Sequence, residues 1–165
     1  MASAPGVSFL PQGAIIQEFN VVGHNIVLGF PRPESYAENS SFFGSTIGRV
    51  ANRIKNAEFT ANGKSYKLAA NELRNHIHGG LEGWDKKIFN GPKPVSRNGK
   101  EAVLFTYVSP DGEEGYPGTV EVRVWYTGWE ETEDGVSKIV LETEYEVELT
   151  GSECEETPVN LTNHG

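Results

Sequence analysis

Apolar and polar residues alternate along much of the chain, and this alternation predicts β-strands. Between Lys138 and Leu149 the odd-numbered positions are mostly apolar, whereas the even-numbered positions from Glu142 to Glu148 are glutamates. Residues 120–127 have the same period, with valines and a tyrosine at the even positions. Because successive side chains of a strand point to opposite faces, we expect long antiparallel strands here, each with one buried face. The glutamates are then solvated surface groups rather than catalytic carboxylates.

Shorter apolar runs, separated by Gly, Pro and Asn, predict the remaining elements. We expect strands at residues 14–19, 21–30 and 102–108, and loops at residues 32–45, 69–80 and 109–118. The Asn62-Gly63 pair predicts a hairpin between residues 58–61 and 65–68, because Asn and Gly accept the positive φ angles of a type I′ turn. No long segment has a helical period. The pattern is typical of an all-β, antiparallel β-sandwich, and residues 1–165 are expected to belong to one domain.

Composition and charge narrow the classes of function. The formal net charge of −9 argues against binding to nucleic acid, which requires a basic face, and against attachment to an anionic membrane surface. No apolar stretch approaches the ~20 residues of a transmembrane helix, and no secretory signal is visible at the start. The single cysteine, Cys154, has no partner for an intramolecular disulfide. We therefore expect a soluble, cytoplasmic protein.

The candidate chemistry lies between Gly48 and Gly80. This stretch contains the pair Asn52-Arg53 and then His76 and His78, the second of which precedes two glycines. An imidazole titrates near neutral pH, and a guanidinium offers several N–H donors without losing its charge. A neutral amide, a fixed cation and an imidazole suit a small polyhydroxylated ligand better than a metal or a nucleotide phosphate.

Structural roles for the same residues remain open alternatives. His76 is better explained as a structural or peripheral residue, and His78 is a turn residue if it does not bind a ligand. Arg53 has the alternative of bonding to loop carbonyls. Trp84 and Tyr116 offer either an aromatic face to a sugar or packing in the core or a loop. A zinc site on the two histidines lacks companion ligands, so we expect no metal.

Several motifs together give the chain a strong resemblance to a known family. In chain order they are IVLGF at 26–30, FFGSTIGRVANRI at 42–54, FTANGKSYKLAANE at 59–72, NHIHGG at 75–80, GWDKKIF at 83–89, SPDGEEGYPG at 109–118 and TPVNLTNHG at 157–165. With these motifs the chain resembles the aldose 1-epimerases, or galactose mutarotases. The resemblance implies a galactose mutarotase-like β-sandwich, in agreement with the alternation of apolar positions.

The resemblance also implies an activity and a set of site residues. Family members interconvert the α and β anomers of a free aldose, such as glucose or galactose, by acid–base ring opening and need no cofactor or metal. By motif, His164 matches the general acid, and His78 matches the histidine that binds the sugar and assists. Asn52 and Arg53 match the residues that contact sugar oxygens.

The chain departs from the family pattern after Gly165, because family members continue through a second half that contains the glutamate general base. None of the glutamates present matches that base. We expect the chain to be the N-terminal half of a mutarotase whose sandwich and site are completed by a C-terminal fragment as a second polypeptide. The alternatives are a non-catalytic sugar-binding or interaction fragment and a related protein that has lost the activity.

Overall fold

A computed structural model describes residues 6–38 and 41–165, and its regular structure is almost entirely β. Among these residues one short α-helix, α1, spans Glu34–Glu38, and three single-turn 3-10 helices span Lys55–Ala57, Trp84–Lys86 and Glu113–Gly115. The strands in chain order are β1 Val7–Leu10, β2 Ile15–Val21, β3 His24–Asn25, β4 Thr46–Ile47, β5 Arg53–Ile54, β6 Glu58–Ala61, β7 Lys64–Lys67, β8 His76–Ile77, β9 Asn90–Arg97, β10 Lys100–Ser109, β11 Val120–Glu133, β12 Val136–Leu149 and β13 Thr162–Asn163. All strand pairs in these sheets are antiparallel, which confirms the predicted class.

The largest sheet has the order β12-β11-β10-β9. Strands β11 and β12 pair without interruption from Val120↔Leu149 to Glu133↔Val136. Asp134 and Gly135 connect them, both with positive φ, which suits the twist of a two-residue hairpin turn. The two long strands predicted from the alternation are therefore confirmed, and both extend further toward their shared turn than expected.

The core lies between this sheet and the β1–β2 hairpin. The even-numbered residues of β11 from Val120 to Tyr126 are buried, as predicted. Phe9 of β1 stacks on the Tyr126 ring at a centroid distance of 4.7 Å. The Tyr126 hydroxyl donates to the Ala14 carbonyl oxygen at 2.7 Å. Two packed layers of antiparallel strands thus agree with the predicted β-sandwich.

One face of β11 differs from the prediction. Trp125 lies on the face expected to be solvated, yet only 7% of it is exposed. The Arg97 guanidinium covers the indole at 4.0 Å from the ring centroid. A long cationic side chain shields an aromatic face while keeping its charge near water, so a position on the outer face becomes buried.

Other segments also differ from the sequence-based prediction. The strand expected at 21–30 is reduced to β3, and Ile26 and Leu28 beyond it are exposed. The loop expected at 32–45 contains α1, whose Tyr36 is buried and accepts a hydrogen bond from Phe30 N at 3.0 Å. Strand β9 was not predicted because it contains two prolines, which the edge of a sheet tolerates. The predicted hairpin with Asn62-Gly63 at its turn is confirmed as β6–β7.

Short pairings place the C-terminal segment beside the N-terminal motifs. Strand β13 pairs with β4, so that Thr162 lies opposite Ile47 and Asn163 opposite Thr46. Strand β5 pairs with β8, which puts Arg53 opposite Ile77. No helix among residues 6–38 and 41–165 has the length and apolar character needed to cross a bilayer.

Candidate active site

Two histidines predicted to act on the sugar lie side by side. The rings of His78 and His164 have their centroids 5.4 Å apart and are almost perpendicular, at 84°. His78 follows β8 and His164 follows β13. The structure therefore brings together two imidazoles that are far apart in the sequence, as a shared site requires.

The backbone around His78 is held in a sharp turn. His78 N donates to the Ala51 carbonyl oxygen at 3.2 Å, and the ring nitrogen Nδ1 bonds to the same oxygen. Because a carbonyl only accepts, Nδ1 is the donor, and Nε2 is the ring nitrogen left for a ligand. His78 has a φ of 52°, and at Gly79 a Cβ would collide with the Gly48 carbonyl oxygen. The glycines after His78 are thus required by close packing as well as by the turn.

The position of His164 is set by backbone pairing with the segment before β4. His164 N donates to Ser45 O at 2.9 Å, and Gly44 N donates to His164 O at 2.9 Å. The neighbouring Asn163 side chain donates to Gly44 O at 2.7 Å. These hydrogen bonds place His164 beside the loop that contains Phe42.

Phe42 contacts both imidazoles, and sequence reasoning missed it. Its ring lies 5.0 Å from the His78 ring and 5.7 Å from the His164 ring, measured between centroids. Its backbone has a φ of 59°, a conformation that costs energy for a bulky residue, and its carbonyl accepts hydrogen bonds from Ser45 N and Oγ. The available signal was the aromatic pair before Gly44 in a predicted loop. Phe42 gives the site an apolar wall.

Asn52 directly precedes strand β5, and Arg53 is the first residue of that strand; both are exposed. The Arg53 guanidinium pairs with the Glu72 carboxylate through Nε at 2.8 Å and Nη2 at 2.9 Å. Hydrogen bonding to Arg53 is the main reason why the pKa of Glu72 is lowered. Arg53 therefore bonds to a carboxylate rather than to the loop carbonyls considered as an alternative. Sequence reasoning did not identify Glu72 as this partner.

His76 has the structural role favoured from the sequence. It is fully buried, its Nδ1 bonds to Ala69 O at 2.8 Å, and its ring meets the Tyr116 ring edge-on at 5.5 Å. No partner for Nε2 is found among the described residues. Burial lowers the pKa of His76, because the protonated imidazole loses its hydration.

We expect the burial of His76 to make stability sensitive to acid. A histidine whose pKa is lowered in the folded state binds fewer protons there than in the unfolded state. Its destabilising effect is absent above the ordinary pKa of 6.5 and grows as pH falls below that value. Thermal unfolding of His76→Gln between about pH 7.5 and about pH 5.5 should therefore show a smaller loss of Tm than the wild type. His24→Gln, at an exposed position, is the control and should retain the wild-type loss; an equal loss in His76→Gln would contradict the explanation.

Trp84 and Tyr116 pack inside the protein rather than facing a ligand. Both side chains are buried. The Trp84 indole lies directly against Gly48, where any Cβ would clash with its ring. These aromatic groups support the floor beneath the His78 turn, so the packing alternative is the one observed.

A buried arginine, Arg49, connects this floor to the loop after β10. Its Nε and Nη2 donate to the Ser109 hydroxyl at 3.0 and 2.9 Å, and further bonds reach the carbonyl oxygens of Pro110 and Pro117. Ser109 in turn donates to the Glu113 carboxylate, which also accepts from Trp84 Nε1. The hydroxyl thus links a buried cation to a carboxylate. Sequence reasoning missed Arg49, although it lies within the GRVANRI motif.

The described residues contain no group of three or more His, Cys, Asp and Glu side chains placed to hold a metal ion. The chemistry that this arrangement offers is proton transfer by imidazole together with hydrogen bonding from Asn52 and Arg53.

Comparisons with known proteins agree with the resemblance. The family model described as aldose 1-epimerase matches residues 3–165. The galactose mutarotase of Bos taurus is 46% identical over 140 residues, which cover 85% of this chain and 36% of that protein. The chain therefore spans about a third of the length of this relative.

Two solved structures share the fold. The galactose 1-epimerase from Lactobacillus acidophilus aligns with a TM-score of 0.65 and 31% identity, covering 73% of this chain and 36% of that one. A GalM/aldose epimerase homologue from C. elegans aligns with a TM-score of 0.71 and 27% identity, covering 96% of this chain and 46% of that one. The chain belongs to the aldose 1-epimerase family.

Proposed function

We propose that this chain is the N-terminal part of an aldose 1-epimerase that interconverts the α and β anomers of a free aldose such as glucose or galactose. The approach of the His78 and His164 rings to 5.4 Å, beside Asn52-Arg53, is the observation that carries the proposal. The enzyme is active when a second polypeptide supplies the C-terminal part; we call this assembly the completed protein. Mutarotation followed by polarimetry tests the proposal.

The reaction needs two coordinated proton transfers. A base removes the proton from the anomeric hydroxyl, the bond between the anomeric carbon and the ring oxygen breaks, and His164 donates a proton to that ring oxygen. The carbonyl carbon of the open chain then rotates. In ring closure His164 takes the proton back and the base returns its proton to the carbonyl oxygen. An imidazole can both donate and accept a proton, which suits this reversible role, and no cofactor or metal takes part.

The other site residues bind and polarise the sugar. His78 uses Nδ1 on Ala51, so Nε2 is the atom that it offers to a sugar oxygen. Asn52 and Arg53 supply amide and guanidinium donors to hydroxyl oxygens. Phe42 provides an apolar surface for the C–H groups of the sugar ring.

The general base comes from the C-terminal part in this proposal. Two carboxylates near the His78 turn already have partners: Glu72 pairs with Arg53, and Glu113 accepts from Tyr107 and Trp84. The glutamates of β12 lie on the outer face of the main sheet, where Glu144 and Glu148 pair with arginines. We therefore assign the base to a carboxylate outside these groups.

An open apolar groove supports the expectation of a C-terminal partner. The groove has a volume of about 710 Å³ and lies between β1 and the far end of the main sheet. Phe9, Val103, Tyr126 and Leu141 are among the residues that line it. A sandwich normally covers such a surface with further strands.

The cytoplasmic location belongs to the same proposal and rests on the single free cysteine, Cys154.

A non-catalytic sugar-binding or interaction fragment is the second candidate. It is favoured by one observation: the proposed sugar-contacting residues and the proposed acid are present, whereas Glu72 and Glu113, among residues 6–38 and 41–165, are already engaged by other groups. This candidate predicts saturable sugar binding with no acceleration of mutarotation in either the chain or the completed protein.

A further inference from the structure

The Glu72 carboxylate accepts two hydrogen bonds from the Arg53 guanidinium, one on each oxygen, in a forked geometry. Arg53 Nε lies 2.8 Å from Glu72 Oε2, and Nη2 lies 2.9 Å from Oε1. A guanidinium is planar, so two parallel bonds fix its plane and its direction. This pairing uses Nε and Nη2, and the donors of Nη1 take no part in it.

The loop around Glu72 is itself held rigidly. Glu72 and Asn75 exchange backbone hydrogen bonds of 3.1 and 2.8 Å, and the Asn75 side chain accepts from Asn56 N at 3.3 Å. The side chain of Asn71 donates to Ile77 O and Gly80 O at 2.9 Å each. Glu72 is therefore fixed relative to the same turn that presents His78.

Fold stability does not account for this geometry. The Arg53 and Glu72 side chains are 52% and 33% exposed, and ion pairs at such positions contribute little to stability. The pair lies at the site: Arg53 directly follows Asn52 and lies opposite Ile77, the residue before His78.

We propose that Glu72 is a positioning and specificity residue that orients Arg53 toward the oxygens of a neutral sugar and makes anionic sugars poor substrates. The inference rests on the proposed function and extends it to the substrate class. An unpaired arginine binds a carboxylate or phosphate through the same fork that Glu72 occupies, and the negative charge of Glu72 repels such a ligand. With Glu72 in place, Nη1 remains for hydroxyl oxygens.

The test uses the completed protein with galactose as the neutral sugar and galacturonate as the anionic one. Glu72→Gln should raise KM for galactose about 3- to 10-fold with kcat nearly unchanged, since it loosens binding rather than proton transfer. The preference for galactose over galacturonate, expressed as a ratio of kcat/KM values, should fall about tenfold. If Glu72 only supported the loop, its replacement would lower kcat/KM for both sugars by the same factor.

A double-mutant cycle shows whether Glu72 acts through Arg53. In the Arg53→Ala background, Glu72→Gln should have little further effect on KM for galactose. Glu133→Gln is the control, because Glu133 also pairs with a cation but lies at the exposed end of the β11–β12 hairpin. Additive effects in the cycle, or an unchanged preference between the two sugars, would overturn the proposal.

The outcome is separable from the outcome of the proposed function. If the completed wild-type protein does not accelerate mutarotation, the proposed activity is wrong, and the same variants are compared by calorimetric titration with each sugar. A Kd ratio that shifts toward galacturonate in Glu72→Gln then still supports the role of Glu72. A wild-type protein that binds neither sugar contradicts both proposals.

Discussion

Replacing His164 by Asn is expected to lower kcat for mutarotation by the completed protein about 10²- to 10⁴-fold, the usual span for the loss of one general acid. His164 is held in place by backbone bonds to Gly44 and Ser45 rather than by its side chain. The substitution should therefore leave the fold and the pairing of β13 with β4 intact. It removes the group that protonates the ring oxygen.

Polarimetry with α-D-galactose measures this effect, and the matched control is His24→Asn, which changes an exposed histidine in the short strand β3. The control should keep wild-type activity. Thermal unfolding of both variants establishes that they are folded. A loss of less than tenfold in His164→Asn would show that His164 is not the general acid.

Replacing Arg49 by Leu is expected to produce the largest loss of stability, about 3–5 kcal/mol in the free energy of unfolding. Arg49 is buried and donates to Ser109, Pro110 and Pro117. Its removal leaves these acceptors without their donor and leaves the Glu113 carboxylate without the cation that Ser109 connects to it. Leucine fills part of the space but forms none of the hydrogen bonds.

Urea unfolding, followed by tryptophan fluorescence, measures this loss, since Trp84 Nε1 bonds to the same Glu113 carboxylate. The control is Arg123→Leu, which removes an arginine that pairs with glutamates on the outer face of the main sheet. Its unfolding midpoint should change much less. Equal shifts for the two variants would mean that the Arg49 network is not the stabilising feature described here.

The long strands were predictable from the sequence because each has a wet face and a dry face over many residues. The glutamates of β12 alternate with half-buried residues, and the even positions of β11 fill the core. Local patterns failed where a distant group decides burial. Trp125 is covered by Arg97 from β9, a strand that was not predicted because it contains two prolines. Periodicity within one strand contains no information about such a partner.

The site was less predictable from local patterns than the sheet. Strands β4, β5, β8 and β13 have two residues each, too few to show any period. The approach of His164 to His78 depends on the pairing of β13 with β4, so only the family resemblance indicated that the two residues act together. Phe42 and Glu72 were missed for the same reason, because both are identified only by what they contact.

The central claim is that this chain supplies the acid and the sugar-binding wall of a mutarotase and that the C-terminal part supplies the base. Polarimetry of α-D-galactose, with the chain alone and with the C-terminal part added, tests it most directly. We predict no acceleration over buffer for the chain alone and full mutarotation after addition of the C-terminal part. Full activity of the chain alone, or no activity in the completed protein, would contradict the claim.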